Sequence, residues 1–162
     1  MRTAHAGCEA IAVYNTLHDM GKDVGLSQII YDTEKNGYMV ANGWMGTKTW
    51  KVDDMLRQYG VESTTAKPET VQRSADSGKL KDGQVYVASI WNNTNDKTGL
   101  ADIGSGIHTF EVVYSPSANT DMPWVVYNRN SKEGEQRYKS IDEILVDEGM
   151  KGKYLSMLEV LN

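Results

Sequence analysis

The sequence predicts an α+β domain: N-terminal helices packed against a C-terminal antiparallel sheet. Two observations carry this. Apolar residues recur at helical spacing through the first third of the chain, and β-rich runs bounded by turn residues dominate the remainder. That order, helices and then strands, favours α+β over a wound parallel sheet. With 162 residues and no linker, repeat or low-complexity segment, residues 1–162 are expected to form a single domain.

The first predicted helix runs from Glu9 to Met20, with Ile11, Val13, Tyr14 and Leu17 on its apolar stripe and Gly21 as its stop. Cys8 then falls at its N-terminal end. "LSQIIYDTEKNG" predicts a second helix, capped by Ser27 and closed by Asn36 and Gly37. Two Asn-Gly pairs in "NGYMVANGWMGT" read as turns or a hairpin. Thr49 is placed to cap a third helix over Trp50 to Tyr59, which Gly60 ends.

"VESTTA" predicts a short strand, and Pro68 opens a short helix in "PETVQRSADSG" at the favoured N1 position. "GQVYVASIW", "IHTFEVVY" and "PWVVYN" are three β-rich runs, the last two joined by the loop "SPSANTDM". Ser140 and Glu143 form a capping-box pattern at the start of "SIDEILVDEG". For "KYLSMLEVL" the pattern fits either a strand or a short helix.

Composition excludes several function classes. The formal charge is −5, and the basic residues are scattered rather than gathered into a stripe, which disfavours nucleic-acid binding. A single cysteine forms no internal disulfide, so folding should not require oxidation. No apolar run approaches the roughly 18 residues of a membrane helix, and the start "MRTAHAGCEA" lacks a signal-peptide core, so a soluble domain without membrane insertion is expected. The abrupt start of the first helix suggests a domain excised from a longer protein.

Cys8 is the candidate nucleophile. A thiol reacts as thiolate, and the partial positive charge at a helix N-terminus lowers its pKa. Three histidines are available as its base. His5 sits in an extended lead-in with nothing to orient it, and His18 lies about 15 Å along the helix, too far for proton transfer. His108 opens a strand after Gly104, Ser105 and Gly106 and is the best placed. Alternation puts His108, Phe110 and Val112 on one side of their strand and Trp124, Val126 and Asn128 on one side of the next, so Asn128 is the candidate orienting group. Asp121 competes for that role from the preceding loop.

Other features carry less. "GSG" lacks the Lys-Ser/Thr of a phosphate loop. Cys8 and the three histidines lack zinc-ligand spacing. Asp53-Asp54 and Asp142-Glu143 have no facing carboxylate for glycoside hydrolysis. Tyr38, Trp44 and Trp50 are candidate cleft walls, although aromatics near turns more often pack over helix ends.

A cysteine opening a helix in "AGCEAIAVYNTL", a histidine starting a strand in "GIHTFEVVY" and an asparagine ending the next strand in "WVVYNRN" resemble the papain-like cysteine peptidase superfamily. The closest likeness is to its bacterial branch, which includes leader-peptidase domains of bacteriocin exporters and papain-like domains of secreted polymorphic toxins. The chain order and the helix-then-strand layout both match, so the resemblance covers most of the chain.

The resemblance implies Cys8 as nucleophile, His108 as general base and acid, and Asn128 as orienting group, acting without a cofactor. It implies a protein or peptide substrate, and for a toxin or effector domain a cognate immunity protein. Such a domain is secreted by a specialised system or delivered into a target cell, and a cytoplasmic setting is also compatible. One departure stands out: the family commonly carries an oxyanion-holding glutamine several residues before the cysteine, whereas Met1 to His5 contain none. The same triad also suits glutamine deamidation, transglutamination or peptidoglycan cleavage. A rival outside enzyme chemistry is a binding module in which Cys8 is merely packed.

Overall fold

The computed structural model describes residues 7–38, 48–94, 107–127, 129, 134–147 and 150–161. Five helices are described: α1 (Gly7–Asp19), α2 (Leu26–Lys35), α3 (Val52–Gln58), α4 (Pro68–Asp76) and α5 (Ile141–Ile144). The strands are β1 (Glu62–Thr65), β2 (Gln84–Thr94), β3 (Ile107–Tyr114), β4 (Trp124–Tyr127), β5 (Glu135–Tyr138), β6 (Val146–Asp147) and β7 (Met150–Leu161). They form one sheet in the order β1-β7-β2-β3-β4-β5, with β6 paired to β7, and every pairing is antiparallel. The fold is α+β, as the order of patterns predicts.

Two apolar cores lie on opposite faces of the sheet. On one, Ala10, Ala12, Val13 and Leu17 of α1, Ile29 of α2 and Met55 and Leu56 of α3 pack against Val85, Val87 and Val160. On the other, Val71 of α4 and Ile141 and Ile144 of α5 pack against Tyr86, Ile90, Phe110, Val112, Trp124 and Val126. Helices therefore cover both faces, which explains why β2 reads as an almost unbroken apolar run. Strand alternation assigns each residue to a core: Val85 and Val87 look toward α1, Tyr86, Ala88 and Ile90 away from it.

Several local expectations need correction. Ser27 does not cap α2; it lies inside the first turn, and Gly25 is the N-cap without a side-chain bond. Thr49 does not cap α3 either, because a 3₁₀ turn over Thr49–Lys51 precedes that helix. α1 and α3 do end before glycines, Gly21 at φ 69° and Gly60 at φ 74°, a left-handed backbone that other residues resist. "KYLSMLEVL" is strand, held by β1 and β2 on its two sides. β5 and β6 are additional to the predicted strands. Of the predicted turn region, residues 39–47 lie outside the described residues, although the Lys48 N–H donates to the Tyr38 carbonyl at 2.8 Å across it.

Candidate functional site

Cys8 lies in the first turn of α1, half-buried, where that helix meets the start of β3. Its Sγ is 3.1 Å from Glu9 Oε2 and 3.9 Å from the Ile107 carbonyl oxygen. The single S–H proton goes to the shorter, charged contact with Glu9. The Thr109 N–H also points at the sulfur. Thus the thiol is seated against backbone on either side of His108. Beneath it, the Thr109 hydroxyl and the Ser89 hydroxyl form a buried hydrogen bond of 2.9 Å, which ties β3 to β2.

The thiol is not activated by its helix end. Burial raises its pKa most, then the Glu9 charge and the S–H to carboxylate bond, while the N–H groups of Thr109 and Glu9 lower it only in part; the net value is pushed up to about 12. The lowering expected from the helix N-terminus is outweighed first by burial of the thiol and then by the Glu9 charge beside the sulfur. At neutral pH Cys8 is a neutral thiol.

His108 is half-buried in β3, in register with Ile90, and its ring lies 5.6 Å from that of Phe110. Ile90 and Phe110 belong to the core on the face away from α1. The imidazole thus shares the sheet face of Ile90 and Phe110, while the Cys8 sulfur lies against the β3 backbone and bonds to Glu9 and Ile107. Strand alternation sets His108 on the side of Phe110 and Val112, opposite the Thr109 side chain.

The structure does bear out the expected sharing of one face by His108, Phe110, Val112, Trp124 and Val126, since Val112 pairs with Val126. Asn128 itself lies outside the described residues, as do His5 and the whole segment Met1 to Ala6 in which an oxyanion donor was sought. Asp121 is exposed in its loop, where its N–H donates to the Asn119 side chain. His18 is at the far end of α1, exposed and 3.5 Å from Asp19, as its separation from Cys8 requires. Among the possible cleft walls, Trp50 is 69% exposed, Tyr38 lies under Lys51, and Trp44 is outside the described residues.

Among the described residues, three buried charged side chains escaped the sequence analysis: Glu9, Glu111 and Arg129. Arg129 donates to the Ile144 carbonyl and sits 5.8 Å from the Phe110 ring, fastening α5 to the sheet. Glu111 had a signal, being a lone carboxylate inside the apolar run "FEVV". It borders a cavity with Tyr14, Asn15, His18, Asp19 and Tyr127. Among the described residues, no group of three His, Cys, Asp or Glu side chains is placed to hold a metal ion, and no helix is long and apolar enough to cross a membrane.

No protein-family model matches the chain, and no curated protein matches it in sequence.

Proposed function

We propose that this chain is a papain-like cysteine amide hydrolase, acting as the toxin or effector domain of a secreted bacterial protein. The supporting observation is the seating of Cys8: its sulfur, on the first turn of α1, touches the β3 backbone immediately beside His108. In this reading Sγ attacks the amide carbonyl, and His108 takes the thiol proton and passes it to the leaving amine. The resulting thioester is cleaved by water, yielding the acid. Asn128 orients His108. No cofactor is involved.

The geometry attaches a condition. His108, whose ring neighbours that of Phe110, has to reach the sulfur, since a neutral thiol with a pKa of about 12 needs a base in contact with it. The substrate is a protein or peptide, the partner an immunity protein, and delivery is by a specialised secretion route. Deamidation, transglutamination and peptidoglycan cleavage use the same acyl chemistry with other donors or acceptors.

The test is mass spectrometry of bacterial lysate incubated with the wild-type chain and with Cys8→Ala. New peptide termini seen only with wild type support proteolysis, and Gln-to-Glu conversion without new termini supports deamidation. Equal products from both proteins overturn the mechanism. Expression inside bacteria tests the setting: unaffected growth in cytoplasm and periplasm counts against a toxin.

A second reading has its own observation. The raised pKa and the contact with Glu9 suit a packed, inert cysteine in a non-catalytic binding module. In that case a small alkylating reagent modifies Cys8 only after unfolding.

A further inference from the structure

We propose that the cavity beside the C-terminal half of α1 binds a primary ammonium group, carried by a free amine or by a lysine side chain. The cavity, of about 340 Å³, is lined by Tyr14, Asn15, His18 and Asp19 of α1, Glu111 of β3 and Tyr127 of β4. It opens on the sheet face covered by α1, about 7 Å along β3 from Thr109 at two residues' rise.

Glu111 carries the inference. It is 1% exposed, yet among the described residues neither carboxyl oxygen has a partner at full hydrogen-bond geometry, the Thr16 hydroxyl, itself unpaired, being the neighbour whose weak interaction it feels. Buried polar groups are almost always paired, and a buried carboxylate left alone is costly. Nothing in the fold requires an acid here: Glu111 pairs across the sheet with Val87 on one side and Tyr127 on the other. An acceptor kept dry and unpaired at the wall of a cavity fits a donor that arrives from outside.

The rest of the lining selects the donor's charge. Asp19 adds a second carboxylate, the Asn15 side chain offers an amide oxygen, and Tyr14 and Tyr127 present aromatic rings that favour a cation. Among the described residues, no lysine or arginine lines the cavity. A compact ammonium with three diverging N–H donors suits acceptors on two elements, and the volume leaves room for its alkyl stem.

A proton balance follows. Burial and then the like charge of Asp19 push the Glu111 carboxyl up to about 8, with the Thr16 hydroxyl opposing the rise. Facing it are Tyr14, His18 and Asp19 from α1 and Tyr127 from β4, with Val87 on β2 contributing no charge. The arriving ammonium therefore displaces the Glu111 proton to solvent, and binding tightens as pH rises toward 8.

The experiment titrates the chain with n-butylamine and with Nα-acetyl-lysine N-methylamide, using n-butanol and the norleucine analogue as neutral controls. Amide chemical shifts of Tyr14, Asp19, Glu111 and Tyr127 report binding. Saturable binding of the amine is expected, strengthening by up to about tenfold per pH unit below pH 8. Glu111→Gln should weaken it at least about tenfold and flatten that pH dependence. Asp19→Asn, at a partly exposed position where folding is not at stake, should weaken it several-fold. Binding of butylamine alone assigns the site to small amines; binding of both admits a lysine side chain. No saturation by either amine, equal binding of the neutral controls, or wild-type affinity in both variants overturns the proposal.

Discussion

Cys8 donates its S–H to Glu9, the next residue along α1, across 3.1 Å. Glu9 is only 1% exposed, so its charge acts on the sulfur with little screening by solvent. Burial of the sulfur and this neighbouring charge together outweigh the pull of the helix start on the thiol.

Alkylation kinetics should show this directly. With a thiol pKa of about 12, the rate of modification by iodoacetamide should climb about tenfold per pH unit through the neutral range without levelling off. Burial holds the pKa up most and remains in Glu9→Gln, but this variant removes the Glu9 charge, the next cause, so its profile should shift to lower pH and its rate near pH 8 should rise by about tenfold. A wild-type profile that plateaus near neutrality would mean an ionised resting thiol, contrary to this arrangement.

The sequence made the elements legible wherever local chemistry decides them. Helical spacing located α1 to α4, Pro68 marked the start of α4, and Ser140 caps α5 as the Ser-Glu spacing implies. What it missed depends on tertiary placement. Ser27 and Thr49 have the right side chains for capping, but the helices begin elsewhere, so neither reaches an N–H. β5 is four largely polar residues, "EQRY", that pair only because β4 presents an open edge.

The site was legible in part for the same reason. Placing Cys8 at a helix start needs only local spacing. Relating it to His108 needs the sheet's register and the face on which α1 packs, and alternation then sets His108 beside Phe110. Glu9 looked like an ordinary first-turn acid until the packing buried it against the thiol.

Stability should fall with rising pH through the protonation of Glu111. Its carboxyl stays protonated in the folded chain up to about pH 8, but ionises near 4.5 when unfolded. The folded state therefore holds the extra proton between those values. The contribution is fully present below about pH 4.5, is lost progressively up to about pH 8, and is flat above, on the order of a few kcal/mol in all. Denaturant midpoints across this range should decline for wild type and decline less for Glu111→Gln. Parallel curves for the two proteins would show that Glu111 does not carry the dependence.

Ser140 should matter modestly. Its Oγ accepts the Glu143 N–H at 3.1 Å, while the Glu143 carboxylate reaches back to the Lys139 N–H. This pins the short α5, whose Ile141 and Ile144 are both fully buried. Ser140→Ala should cost about 1 kcal/mol in chemical denaturation, and Ser140→Asp should recover most of it. No loss in the alanine variant would show that α5 is held by packing alone.

Gly152 offers the sharpest test of how β7 meets β2. It is buried where the pairing between these strands slips between Trp91 and Thr94, and its N–H donates to the Leu145 carbonyl at 2.8 Å. A Cβ at this position would stand 3.2 Å from both Ile90 Cδ1 and the Trp91 carbonyl oxygen, and 3.4 Å from the Leu145 carbonyl oxygen. Ile90 is itself fully buried, and the two carbonyls belong to backbone. Relief must come from shifting a strand rather than a side chain. Gly152→Ala should therefore destabilise the fold by about 1–3 kcal/mol, read as a lowered denaturant midpoint with an unchanged slope. Pairing it with Ile90→Val, which removes the methyl that meets the new Cβ, should recover only part of the loss, because the Trp91 and Leu145 carbonyls stay in place. An alanine variant as stable as wild type would mean that β7 has slack beside Trp91.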